Sequence, residues 1–204
     1  MSLIIFLQIF FVCLLGAMSP GPSMVVVINN AIFKNRYHGI LTAIGHGIGI
    51  GIYALFAVIG IGLVIKTNLE LFNFIKVLSI IFLLYLGVKS VFSKNQINFD
   101  QKKRRGGAIS FFQGLSISIL NPKIFIWFVA IYSQFMSENN DIVFDSYLVL
   151  TAGIVDATWY IILTILVTSG AALEFFKKRS VVLNKVIGIL FILISGFLLL
   201  ELII

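Results

Sequence analysis

Charge is scarce in this sequence. Only 11% of its 204 residues are charged, 15 Lys and Arg against 8 Asp and Glu, while 60% are hydrophobic and the mean hydropathy is +1.10. That is too little polar material to clothe a soluble globule, so the chain reads as an integral membrane protein. Cysteine is nearly absent: a single Cys13 excludes an internal disulfide, a CxxC relay and a cysteine metal cluster. There is no HExxH, no carboxylate pair at glycosidase-like spacing, no Ser/His/Asp set at a common depth and no Walker A. These absences argue against an enzyme and against an ATP-driven pump within the chain, and neither a cofactor nor a metal is expected. The short alternating segments of an outer-membrane barrel are missing too, which leaves helices. The opening "MSLIIFLQ" lacks the basic start of a signal peptide, so the first apolar run is expected to stay as a span.

What is present is long apolar runs. Six of them, at roughly 3–33, 39–65, 69–92, 108–136, 144–173 and 181–204, are each long enough to cross a bilayer. The predicted fold is all-α, a single membrane domain with repeat one at 1–92, a basic loop at 93–107 and repeat two at 108–204. The loops after the first, third and fifth spans carry Lys34, Arg36, Lys94, Lys102, Lys103, Arg104, Arg105, Lys177, Lys178 and Arg179, whereas the opposite side has Lys66. This asymmetry places the basic loops in the cytoplasm and both termini outside. "QKKRR" is thereby read as a topological anchor and not as a nucleic-acid contact; the partners expected are the lipid bilayer and a small solute.

Proline is sparing too, with three residues, and its placement is informative. Pro20 and Pro22 lie in "GAMSPGPSMVVVINN" and Pro122 in "SISILNPKIFIW", so Pro20 and Pro122 are separated by half the chain. The same shift carries the second run onto the fifth. Three spans used twice, with an odd number per copy, gives an inverted 3+3 repeat of the secondary-transporter kind. A proline within a helix costs about 3 kcal/mol, but here each break has the chemistry of a helix starting again. Asn121 suits an N-cap and Pro122 a first helical position, and either Ser19–Pro20 or Gly21–Pro22 suits the first break. The two half-helix N-termini would face each other in mid-membrane and seat a carboxylate, as an amino acid would offer.

Polar residues inside the spans are the remaining signal. Lys123 follows the second break, and a lysine at that depth needs a partner. Asp156, in "GIVDATWY", is the one acidic residue well inside a span, so a Lys123–Asp156 pair is expected, either as part of the site or as a static packing contact. Helical spacing aligns Gln113, Ser116, Lys123 and Trp127 on the fourth span, Gly153, Asp156, Tyr160 and Thr164 on the fifth, and Ser19, Ser23 and Asn30 on the first. Asn30 could equally hydrogen-bond across helices. The glycines of the second span, with Gly45/Gly49 and Gly47/Gly51 repeating at four residues, suit close packing against the broken helices. His46 could titrate near neutral pH and, with Asp156, is a candidate proton carrier. Lys76 and Lys89 are expected to snorkel to the interface.

Three stretches, "MSPGPSMVVV", "GHGIGIGIYALFAVIGIG" and "FFQGLSISILNPKIFIWFVAIYSQF", together resemble the LysE/RhtB family of bacterial inner-membrane exporters over nearly the whole chain. The resemblance implies export of amino acids or related small metabolites, driven by protons as coupling ion. It implicates Pro20, Gly21, Pro22, Asn121, Pro122 and Lys123, and more loosely Gly45, Gly49 and Asp156. The chain departs from the family pattern at Ile50, where an acidic residue is common, and at Ser79 and Phe82. A channel or metal-ion exporter and a non-transporting membrane scaffold are the alternatives, and a homo-oligomer is left open.

Overall fold

The computed structural model describes residues 3–93, 107–137, 141–169 and 171–203. They form eight helices: α1 (Leu3–Met18), α2 (Pro22–Phe33), α3 (Arg36–Thr67), α4 (Leu69–Val91), α5 (Gly107–Ile119), α6 (Pro122–Phe135), α7 (Ile142–Thr168) and α8 (Ala171–Ile203). Four are apolar and long enough to span a membrane alone: α3, α4, α7 and, over Val181–Leu200, α8. The other four form two bent pairs, α1 with α2 at 67° and α5 with α6 at 58°. The protein is thus an all-α membrane protein of six spans whose first and fourth are broken at the prolines.

Local chemistry sets the boundaries. Asn35 caps α3 by accepting from the His38 amide, Asn68 caps α4 through Leu71, and Asp141 caps α7 through Phe144. The fifth span ends at Thr168 instead of 173, and α8 begins ten residues before the expected 181. Lys177, Lys178 and Arg179 therefore ride on the opening turns of α8 and not in a loop. "LEFFKKRS" is rich in good helix formers, and charge does not break a helix at the membrane edge. Of the basic loop at 93–107, Lys94, Lys102, Lys103, Arg104 and Arg105 lie outside the described residues.

The outward faces are apolar, with Ile59, Leu63, Phe74, Ile81 and Leu193 exposed, as contact with lipid requires and water would not favour. Polar side chains such as Thr42, His46, Ser118, Asp156 and Thr164 are buried instead. At the centre α3 packs on α7 and on α5, while α4 packs on α8. Glycine permits these approaches. A Cβ on Gly47 would lie 2.7 Å from the Gly153 carbonyl oxygen, and one on Gly153 would lie 3.0 Å from that of Gly47. Gly87 and Gly188 make the same reciprocal contact, at 2.9 and 2.6 Å. Backbone thus meets backbone on both seams.

Candidate functional site

The two breaks meet. Gly21, Pro22 and Ser23 from the first and Asn121 and Lys123 from the second line one cavity of about 80 Å³, together with residues of α1, α3, α7 and α8. With about 10–15 Å³ needed per water, it has room for several waters or a small organic solute.

At the first break the chain turns out of α1 with the Ser19 amide on the Gly16 carbonyl, and Gly21 takes the N-cap position of α2 in extended conformation. Of the two candidate restarts, Gly21–Pro22 is the one used. Glycine has no side chain with which to cap, so the amides of Ser23 and Met24 find no acceptor among the described residues. The second break differs. The Asn121 side chain accepts from the Lys123 amide at 3.1 Å, and its own carbonyl accepts from the Ile124 amide at 3.0 Å. The Lys123 and Ile124 amides that open α6 are thereby occupied, and of the two N-termini expected to be open only α2 leaves the matching amides free. One carbonyl freed at the end of α5, that of Ile119, receives the Tyr53 hydroxyl of α3, as a break in lipid demands.

Lys123 and Asp156 line the same cavity but do not pair. The Lys123 ammonium instead donates a long hydrogen bond, 3.4 Å, to the Ser19 hydroxyl of the other break. Asp156 is bound to His46, with Nδ1 2.6 Å from Oδ2. The expected pair fails because α3 brings an imidazole against α7 at the depth of Asp156, and a buried carboxylate takes the donor that reaches it at hydrogen-bond distance. His46 is 2% exposed and Asp156 5%, and His46 Nε2 is buried without a partner among the described residues. Tyr160 sets its ring edge-on to His46 at 5.0 Å. The other wall is apolar: Ile50, Ile124, Trp127, Phe128 and Phe191, with Trp127 and Phe191 ring to ring at 4.9 Å.

A model of the LysE type translocator family matches residues 14–202, taking in both breaks and both halves of the chain. The chain belongs to that family. The leucine efflux proteins of Salmonella typhimurium and Salmonella choleraesuis are each 31% identical to it over 184 residues, covering 85% of this chain and 84% of theirs. The uncharacterized membrane protein YrhP of Bacillus subtilis is 28% identical over 186 residues, covering 85% and 88%. No solved structure matches.

Of the residues singled out from the sequence, the translocator's cavity gathers Ser19, Gly21, Pro22, Ser23, His46, Asn121, Lys123, Trp127, Asp156 and Tyr160. Pro20 sits in the turn between α1 and α2, and Pro122 opens α6. Asn30, Gly45 and Gly49 are elsewhere. Asn30 donates to Thr42 Oγ1 at 2.8 Å and to Gln113 Oε1 at 3.0 Å, joining α2 to α3 and α5. A Cβ on Gly45 or Gly49 would strike the Phe111 carbonyl or the Ser118 hydroxyl of α5, so these glycines pack against the first half of the second broken span. The 58° bend also separates Gln113 and Ser116 from Lys123 and Trp127, and the 67° bend separates Ser19 from the Asn30 stripe. Sequence reasoning noted Ile50 only as a departure from the family pattern and missed Ile124, Phe128, Phe191 and Gly16, since one apolar residue in an apolar span resembles the next. Lys34 lies in the connection between α2 and α3, as expected, and its ammonium reaches back to donate to Ser110 Oγ of α5 at 2.8 Å.

Proposed function

We propose that this translocator exports amino acids with apolar side chains from the cytoplasm across the bacterial inner membrane, in exchange for protons. The observation that carries the reading is the division of one cavity into three chemistries. The open amides of α2, the Ser19 hydroxyl and the Lys123 ammonium suit a carboxylate. The His46–Asp156 pair suits an ammonium group and a proton, and the wall of Ile124, Trp127, Phe128 and Phe191 suits an aliphatic side chain. Relatives named for leucine efflux, at 31% identity, point the same way. The residues 1–92 and 108–204 then act as inverted repeats that rock about the cavity. The reciprocal glycine contacts support this, because Gly47 with Gly153 and Gly87 with Gly188 join each span to the one about half a chain further on, as a two-fold relation requires. The basic residues flanking α2, α3 and the start of α8 face the cytoplasm, with both termini outside.

The test is counterflow in proteoliposomes. Vesicles holding the purified protein and unlabelled leucine are expected to accumulate labelled leucine saturably, with lysine and glutamate competing poorly. Vesicles that exchange no amino acid would refute the reading.

A further inference from the structure

Within that reading of the cavity, we infer that the proton and the substrate ammonium compete for one atom, His46 Nε2, and that this competition is what couples export to the proton gradient. A carboxylate accepts and does not donate, so in the 2.6 Å contact with Asp156 Oδ2 it is Nδ1 that carries the hydrogen. In the neutral ring Nε2 is then a bare acceptor. It is buried, has no partner among the described residues, and belongs to a side chain that lines the cavity. An acceptor left in this state is costly unless something in the cavity serves it, and the ammonium of a zwitterionic amino acid is a donor of the right charge, since Asp156 behind the ring leaves the pair with one net negative charge. Adding a proton at Nε2 turns the acceptor into a donor and the pair into a neutral imidazolium–carboxylate. It can then neither accept from the ammonium nor attract it.

The cycle follows. A proton arriving from outside displaces the amino acid outward; the protonated carrier turns inward, releases the proton to the cytoplasm, and Nε2 is free to accept the next ammonium. A zwitterion carries no net charge, so one positive charge moves inward per molecule exported, and the membrane potential contributes alongside the pH gradient. The other titratable groups facing the cavity are Cys13 on α1, Lys123 on α6 and Tyr160 on α7. From α2 comes Ser23 and from α8 Phe191, while α5 approaches His46 with Gly114; none of these three titrates.

The experiment is calorimetric binding to the purified wild-type protein between about pH 6 and 7.5, where carboxylates are ionised and amino groups protonated. Two probes are compared: leucine, and 4-methylpentanoate, which keeps the carboxylate and side chain but lacks the ammonium. Leucine affinity is expected to fall as pH drops, by up to tenfold per unit, with up to one proton released per molecule bound. The analogue should show no such fall and release no proton, because an anion does not compete with a proton for Nε2. His46→Gln should bind leucine more weakly and without the pH slope. Leucine affinity that stays flat across the window, or equal proton release with both probes, overturns the competition while leaving the amino-acid reading intact. Failure to bind leucine or any other amino acid at any pH overturns that reading and the competition with it. If His46→Gln does not fold, the two-probe comparison on the wild-type protein decides alone.

Discussion

The two breaks occupy corresponding places in the two broken spans and solve the same problem in different ways. At the first, Gly21 leaves the amides of Ser23 and Met24 open and the hydroxyl of Ser19 nearby. At the second, Asn121 closes the amides of α6 with its own side chain and carbonyl, and Lys123 carries a positive charge on a flexible stem. One break offers a rigid dipole, fixed by backbone; the other offers an ion that can swing. A helix terminus that looks like an anion site from its proline is one only if its cap leaves the amides free.

Removing the swinging charge has the largest expected effect. Lys123→Met is expected to weaken leucine binding by about 10- to 100-fold, from roughly 1.5–3 kcal/mol for a charge-assisted hydrogen bond, with Lys123→Arg recovering part of it. Full affinity in a well-folded Lys123→Met protein would move the anion seat wholly to α2. Next comes closing the open break. Gly21 is extended, and a Cβ there would meet only the Ser19 carbonyl oxygen, at 3.9 Å, so the position accepts a side chain. Gly21→Asp should cap α2, adding about 1 kcal/mol of stability, while its carboxylate occupies the amides and lowers leucine affinity about tenfold. Opposite signs in melting and binding are the diagnostic; matching signs would mean those amides do not serve the ligand. The smallest effect on binding is expected from opening the closed break. Asn121→Ala should cost about 0.5–2 kcal/mol in stability and change leucine affinity by less than about threefold, read by thermal unfolding and by calorimetry.

Much of the architecture was legible because lipid is an unforgiving solvent. Spans announce themselves by apolar length, and a proline within one marks a break. The polar members of the cavity stood out for the same reason, since Lys123, Asp156 and His46 have few polar neighbours in their spans. What could not be read was who meets whom. Pairing Lys123 with Asp156 followed from opposite charge, but partnership depends on how deep α3 sits against α7, which the glycines at 47 and 153 permit without stating. The cap at Asn121 was predicted, yet its consequence, an α6 terminus whose Lys123 and Ile124 amides are both taken, needed the geometry. The apolar span from 181 was legible, but not that its helix starts at Ala171, because a Lys-Lys-Arg cluster is equally at home in a loop and on an interfacial helix turn. Of the apolar wall, the sequence pointed to Trp127 by its helical spacing from Lys123 and to Ile50 by its departure from the family pattern, but gave no signal for Ile124, Phe128 or Phe191.

Along the line where Gly47 meets Gly153 and Gly87 meets Gly188, the helices touch backbone to backbone, with the side chains of Ala157, Ile192 and Val91 filling the gaps the glycines leave. Surfaces that mesh through long side-chain ridges must climb over one another to shift; under the proposed rocking of the repeats, these close, shallow contacts would serve as the bearing on which the halves pivot. A single methyl set there, as in Gly153→Ala, would be grit in that bearing.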